Sequence, residues 1–348
     1  MLTDLLKDNS EIWAHFTRSE EYSLTKLDKY ERFEPPDYRS SRLLEPVVSK
    51  CLLDRGLVVE YPDNKSFAVC LSHDVDDIYP TSLHTVLSSV YCLKSCDFSG
   101  LKKHLLWKVN GKENSPFINF EEIMDLEERY GAKSSFYFMA TEKDPDRFRY
   151  DIEDISNEVA SINDRGWEVG LHTGYYSYNS LESIILEKKR LESALGSNII
   201  GCRNHYLRFK VPDTWELLSK AGFLYDTTFG YANGIGFRNG MCHPFKPYDL
   251  NKDKEINILE IPLIIMDGAL LLHFTKSFSE AWFFVKELID KVEKCNGVIT
   301  FLWHNNSLNW PYRSHWGKLY EKILDYCSSK NAWMTSSEEI YRWWINEY

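Results

Sequence analysis

Two carboxylates stand two residues apart in the stretch LSHDVDD, residues 71–77: Asp74 and Asp76, with Asp77 behind them. They follow an apolar run, 67–71, that reads as a short buried strand. Residues two apart on an extended backbone point to the same side, so both carboxylates are expected to enter one cleft at a strand's mouth. Such a pair can divide labour, one taking a proton and the other holding a cation. Other chemically able residues fall at comparable places. His172 follows WEVGL, Arg203 and His205 follow IIGC, Asp267 lies shortly after EIPL, and His304 follows ITFLW.

Carboxylate oxygen together with imidazole nitrogen suits a divalent metal such as zinc. Asp76 and His172 are the first two expected ligands. A metal held by two or three protein groups keeps positions open for water and substrate, and lowers the pKa of bound water. Asp74 is placed to accept that proton, Arg203 to hold Asp74 ionised through a charge-assisted pair, and His304 to protonate a leaving amine. Together these are the groups needed to hydrolyse an amide or ester. Asp77 is expected to cap a following turn, and His73 to pack on the opposite face of the strand from the pair.

The elements that must position these groups alternate regularly. Strands are expected at 66–72, 134–139, 167–171, 199–202, 223–225, 257–263 and 297–303, with a short one near 333–335. Helices are expected at 120–130, 152–165, 180–195, 212–221, 279–294 and 315–328, followed by a last Trp-rich helix. Asn179 with Glu182 reads as a capping box for the helix at 180–195. Such alternation means parallel strands with helices outside, as a closed or partly closed barrel or as an open doubly wound sheet. In both, sites collect at the C-terminal ends of strands, where the residues above fall. Residues 1–64, with turn signals at 34–37 and 61–64, read as an N-terminal extension packed on a main unit at 65–348. Residues 78–117 read as an inserted helical segment, in which His84 and His104 are expected to be structural.

The chain has 348 residues, 43% of them hydrophobic, and a net charge of −11. It is long enough for a sizeable core, and the charge argues against a sequence-indifferent nucleic-acid binder. Its 21 Tyr, 19 Phe and 11 Trp suit sugar stacking as well as packing. The first residues carry acids rather than a basic start and an apolar core, so no secretory signal is expected. No run approaches 18 apolar residues, so no membrane span is expected. Eight scattered cysteines without a CxxC are expected to be free thiols.

Over about 66–335, outside the insertion, the motifs resemble the polysaccharide deacetylases, the NodB-type group of carbohydrate esterase family four. The resemblance implies a distorted (β/α) barrel, usually of seven strands. SHDVDD resembles the first motif, which makes Asp74 the base and Asp76 a ligand. GLHTGYYS resembles the second, with His172 as ligand. CRNHY resembles the third, with Arg203 orienting the base and the backbone N–H near Tyr206 serving the oxyanion. IPLIIMD is similar to the fourth, with Asp267 supporting the acid. LWHN resembles the fifth, with His304 as acid and Trp303 or Leu302 lining an acetyl-sized pocket.

One position departs from that pattern. Where the second motif usually has a second histidine, this chain has Tyr176, a poor zinc ligand because its phenol titrates near pH 10. Tyr176 is therefore assigned with Tyr206 and Trp303 to substrate contact. His205 is the candidate third ligand; His243, in MCHPF after the Gly-rich loop, is a further possibility, expected rather to shape that loop or bind substrate. The reading is a zinc-dependent hydrolase that removes an N-acetyl or similar acyl group from an amino sugar, nucleotide- or lipid-linked, in surface-polysaccharide synthesis. Its partner is that carbohydrate, not nucleic acid, and its expected location is the cytoplasm. The alternatives are a non-sugar amide or imide hydrolase, and a non-catalytic carbohydrate-binding protein with a relic site.

Overall fold

The computed structural model describes residues 2–23, 27–35, 37–143 and 148–348. Pro36, within the turn expected at 34–37, lies outside them. The strands β1 (Ala68–Val75), β2 (Ser135–Met139), β3 (Glu168–Thr173), β4 (Gly201–Asn204) and β5 (Tyr225–Asp226) pair side by side and parallel in reverse chain order. β6 (Leu259–Glu260) adds to β5, while β7 (Ile265–Met266) adds to β8 (Val298–Leu302), which pairs with the other side of β1. β9 (Trp333–Thr335) pairs with the start of β1, below the place where β2 joins it.

The single strand expected at 257–263 is thus two short ones. Residues 261–264 join the two edges of the sheet, and they can span no more than about 17 Å. One extended segment therefore leaves the β5 edge and joins the β8 edge, and the sheet curls into a distorted barrel. Pro262 lies at this changeover, where a residue without an N–H is tolerated. Helices follow the strands on the outside, at Phe120–Glu128, Ser156–Asp164, Leu181–Leu195, Asp213–Lys220, Phe278–Lys294 and His315–Ser329. The cap expected at Asn179 falls one residue later: the Ser180 side chain accepts from the Ser183 N–H.

Period-two alternation separates inside from outside. Phe136, Phe138, Val169 and Leu171 face the helices and join a large apolar core. Tyr137 and Tyr225 instead fill the barrel's interior, and two glycines make room for them. A Cβ on Gly170 would lie 2.5 Å from the Tyr137 ring, and one on Gly201 would lie 1.9 Å from that of Tyr225. Gly170 precedes His172 by two residues and Gly201 precedes Arg203 by two, so both rings form the floor beneath the site. The Tyr137 and Tyr225 hydroxyls bond each other at 3.0 Å. Tyr225 donates on to Glu168, so Tyr137 donates to Tyr225 and accepts from the hydroxyl of Ser337, 2.9 Å away at the start of the C-terminal helix, Ser337–Glu347.

His73 faces outward, as expected, into a buried network. Its Nδ1 donates to the Trp303 carbonyl at 2.7 Å and its Nε2 meets Glu127 at 2.9 Å. Glu127 also accepts from Tyr320, Ser134 and Trp167. All eight cysteines are free. No helix of the described residues is long and apolar enough to cross a membrane.

Gly201→Ala should lower stability by about 2 kcal/mol, because overpacking here meets a ring held by its hydroxyl. Urea unfolding of the variant and the native protein measures this; unchanged stability would contradict the filled-interior account.

Candidate active site

β1 runs further than its sequence suggests, through Val75, so Asp74 lies inside the ladder opposite Tyr137. In the same way His172 pairs with Met139 and Arg203. The site residues are therefore held by strand register as well as by their own contacts. Asp74 and Asp76 both turn into the mouth.

Arg203 is fully buried. Its Nη1 donates to Asp74 Oδ1 at 2.8 Å and to Ser72 Oγ at 2.9 Å. Nε donates to the Thr227 carbonyl and Nη2 to Thr227 Oγ1, both at 3.0 Å. The guanidinium lies 4.7 Å from the Tyr137 ring centroid. Asp74 Oδ2, on the other side, is 3.7 Å from His172 Nε2.

Asp76 faces three imidazoles. Its Oδ1 is 3.1 Å from His172 Nε2 and 3.6 Å from His205 Nε2, and its Oδ2 is 3.6 Å from His304 Nε2. Burial would raise the Asp76 pKa, but His205, His172 and His304 more than offset this and hold it well below the usual carboxylate range.

Ligand atoms of Asp76, His172 and His205 lie within 4.8 Å of one another, a group that could hold a metal ion. The donor set fits a divalent cation. His172 Nδ1 donates to the Arg203 carbonyl at 3.0 Å, which fixes that nitrogen's hydrogen and aims Nε2 at the group's centre. Asp76 Oδ1 is buried and makes no well-aligned hydrogen bond, although His172 Nε2 lies 3.1 Å away, an arrangement that suits an anion shared with a cation. Burial drives the His205 pKa down to about 3, so its ring is neutral. Burial also opposes charge on His172, but Asp74 and Asp76 outweigh it and raise its pKa. The field that favours a proton on Nε2 equally favours a metal there, and the two compete for one lone pair.

Opposite this group stands His304. Asp267 accepts from its Nδ1 at 2.7 Å and from its backbone N–H at 3.0 Å. Burial opposes charge on the His304 ring, but Asp267, helped by Asp76 and Asp74, lifts its pKa to about 10. Asp77 is raised to about 6 by burial and by Asp76, with Arg149 3.9 Å away.

Trp303 is not brought to the mouth. Residues 300, 302 and 304 share the inner face of β8 and its extension, so Trp303 points outward. It is fully buried, with its ring 5.5 Å from that of Tyr320. Leu302 instead joins Leu207 and Leu263 in a small cluster with Ala232 and Met266. His243 lies away from these groups, its Nδ1 on Ser49 Oγ and its Nε2 on the Asn296 carbonyl. Tyr176 is exposed and packs edge-on against Tyr175. Tyr175 in turn meets Tyr206, and Tyr206 meets His205, so aromatic rings lead outward from the three-residue group.

Several participants went unnoticed in the sequence. Ser72 was within reach of the period-two argument, being two before Asp74. Thr227 carried no signal. The N-terminal segment is the largest omission. Tyr30 packs 5.0 Å from Tyr206, Arg32 donates to the Tyr206 carbonyl at 3.0 Å, and Glu31 pairs with Arg208 and accepts from Tyr178. Residues 30–32 thus wall one side of the mouth. Tyr206 itself has a positive φ of 60°, an uncommon conformation for a tyrosine, and Leu207 follows at 52°.

No protein-family model matches the chain, and no curated protein sequence matches it significantly. Solved structures do match in fold. One is a protein of Mycobacterium smegmatis assigned as a polysaccharide deacetylase, 16% identical over 83% of this chain and 93% of that one, with a TM-score of 0.55. Another is Puue allantoinase, 14% identical over 84% of this chain and 95% of that one, with a TM-score of 0.57. The fold is the one that the sequence resemblance implied.

In metal-free protein, Asp267→Asn should bring the His304 titration down from about 10 towards the ordinary 6.5. Because the folded pKa is raised, this imidazolium stabilises the native state fully below about pH 6.5, and its contribution is lost as pH rises through about 10. NMR of the ring C–H resonances reads both; an unshifted titration in the variant would contradict the Asp267 assignment.

Proposed function

We propose that this protein is a metal-dependent amide hydrolase that removes an N-acetyl or similar acyl group from an amino sugar. The observation that carries the reading is the facing of two sets of groups across one mouth. On one side an Arg203-held Asp74 adjoins the buried Asp76, His172 and His205; on the other stands an imidazole backed by Asp267. Asp76, His172 and His205 would hold the metal, zinc being a divalent ion that two imidazoles and a carboxylate suit. When bound, it would polarise the acyl carbonyl and acidify the attacking water.

The remaining steps belong to the chain's own side chains. Asp74 Oδ2, the oxygen not taken by Arg203, receives the proton of the attacking water. Arg203 keeps that carboxylate oriented until then. The backbone N–H at Tyr206 serves the developing oxyanion. His304 enters charged and gives its Nε2 proton to the departing amine nitrogen, while Asp267 holds Nδ1. Leu302, Leu207 and Leu263 offer an apolar wall for the acyl group. Tyr206, Tyr175, Tyr176 and Tyr30 offer ring faces to a sugar's C–H face, which favours a carbohydrate. A second reading, a non-sugar amide or cyclic imide, keeps the same roles and draws on the likeness in fold to an allantoinase.

Asp74→Asn should lower kcat on an N-acetylated amino-sugar amide by about 10²-fold or more while leaving zinc content unchanged. Zinc analysis beside the release of acetate measures both. Undiminished turnover in the variant would remove Asp74 as base, and a native protein inert on sugar amides but active on cyclic imides would select the second reading.

A further inference from the structure

The inserted segment after Asp77 folds into two helices, Ser82–Lys94 and Phe98–Asn110, and their polarity is inverted. The faces turned inward are polar or small: His84, Ser88, Cys92 and His104 are buried, with Trp107 the one large apolar residue among them. His84 and His104 lie 5.4 Å apart, and His84 also packs on Phe117, Trp310 and Tyr312. Both helices therefore rest on the same underlying surface, and their other faces look outward together.

Those outward faces are apolar. Leu83, Val86 and Val90 follow one another at steps of three and four on the first helix, as do Phe98, Leu105 and Val109 at seven and four on the second. Leu83 is 68% exposed, Phe98 71% and Val109 82%. A chain of this size does not leave so contiguous an apolar face in water without a use for it. Among these side chains stand lysines: residues 82–110 hold Lys94, Lys102, Lys103 and Lys108 against one acid, Asp97, in a protein whose net charge is −11. Lys103 is engaged by Glu122 at 2.5 Å; Lys94, Lys102 and Lys108 are exposed.

We infer that this helical hairpin docks the protein on an anionic lipid surface. Exposed leucine, valine and phenylalanine enter the interfacial region while lysines meet the headgroups, the composition that holds amphipathic helices in a membrane plane. A second copy is the weaker occupant, because a two-fold interface would set the same lysine-bearing face against itself. The hairpin begins at Ser82, six residues beyond Asp76, and rests on the residues that follow His304. The docking face therefore lies at the same end of the barrel as the mouth of the site. This inference is independent of the proposed chemistry, since lipid binding is read without turnover.

The test is flotation of the full chain with vesicles of phosphatidylcholine alone, and of phosphatidylcholine mixed with phosphatidylglycerol. The native protein should float with the anionic vesicles, at least about tenfold more tightly than with the neutral ones. The triple variant Leu83→Gln, Val86→Gln, Phe98→Gln should lose about 100-fold of that binding. Lys102→Glu with Lys108→Glu should abolish the anionic preference, with circular dichroism unchanged in both. A native protein that stays unbound, or a triple variant that binds as well as native, would overturn the proposal. So would a native dimer that the triple variant converts to monomer, which would assign the face to a second copy.

Discussion

A fully buried guanidinium cannot be left unpaired, and the barrel's mouth is arranged around meeting that demand. Arg203 donates to Asp74, Ser72 and two oxygens of Thr227, and stacks over Tyr137. Removing one partner from such a pair typically costs about 3 to 5 kcal/mol, because a charge is stranded in a low-dielectric interior. The pair therefore fixes where β1, β4 and the residues after β5 stand relative to one another. It also uses up one oxygen of Asp74 and leaves the other facing His172. Tyr137 and Tyr225 reach their places only because Gly170 and Gly201 lack side chains, so the floor, the pair and the site form one dependent stack.

Much of this was legible in the sequence. The alternation of strands and helices was read with boundaries close to those observed, because buried parallel strands are short apolar runs and helices end at Gly131, Gly166, Gly196 and Gly222. Period two put Asp74 and Asp76 on one side, and correctly set His73 on the other. The same rule places Trp303 outside and Leu302 inside. Expecting Trp303 at the mouth set that rule aside, and the fully buried Trp303 is the result. What sequence could not supply is long-range. The split of the stave at 259–266 depends on which neighbour each half pairs with. The wall formed by Tyr30, Glu31 and Arg32 depends on contacts with Tyr206, Arg208 and Tyr178, all more than 140 positions away.

The substitution at Tyr176 was the point of tension, and the geometry locates it. Tyr176 stands exposed on Tyr175, outside the group that Asp76, His172 and His205 form. His205 sits just past the end of β4, beside the strand that carries His172, so a second imidazole reaches the same space from the next stave. In the proposed function that exchange preserves the number of protein donors while changing the direction from which one arrives. It also frees the second-motif position to join the tyrosines bordering the mouth.

The central claim is that Asp76, His172 and His205 together hold one divalent ion. Calorimetric titration of metal-free protein with zinc tests it most directly, comparing native protein with His205→Ala and Tyr176→Phe. The account predicts one equivalent bound by native protein and by Tyr176→Phe, and an affinity lower by about 10²-fold or more in His205→Ala. Equal affinity in native protein and His205→Ala, or no stoichiometric binding by native protein, would contradict it.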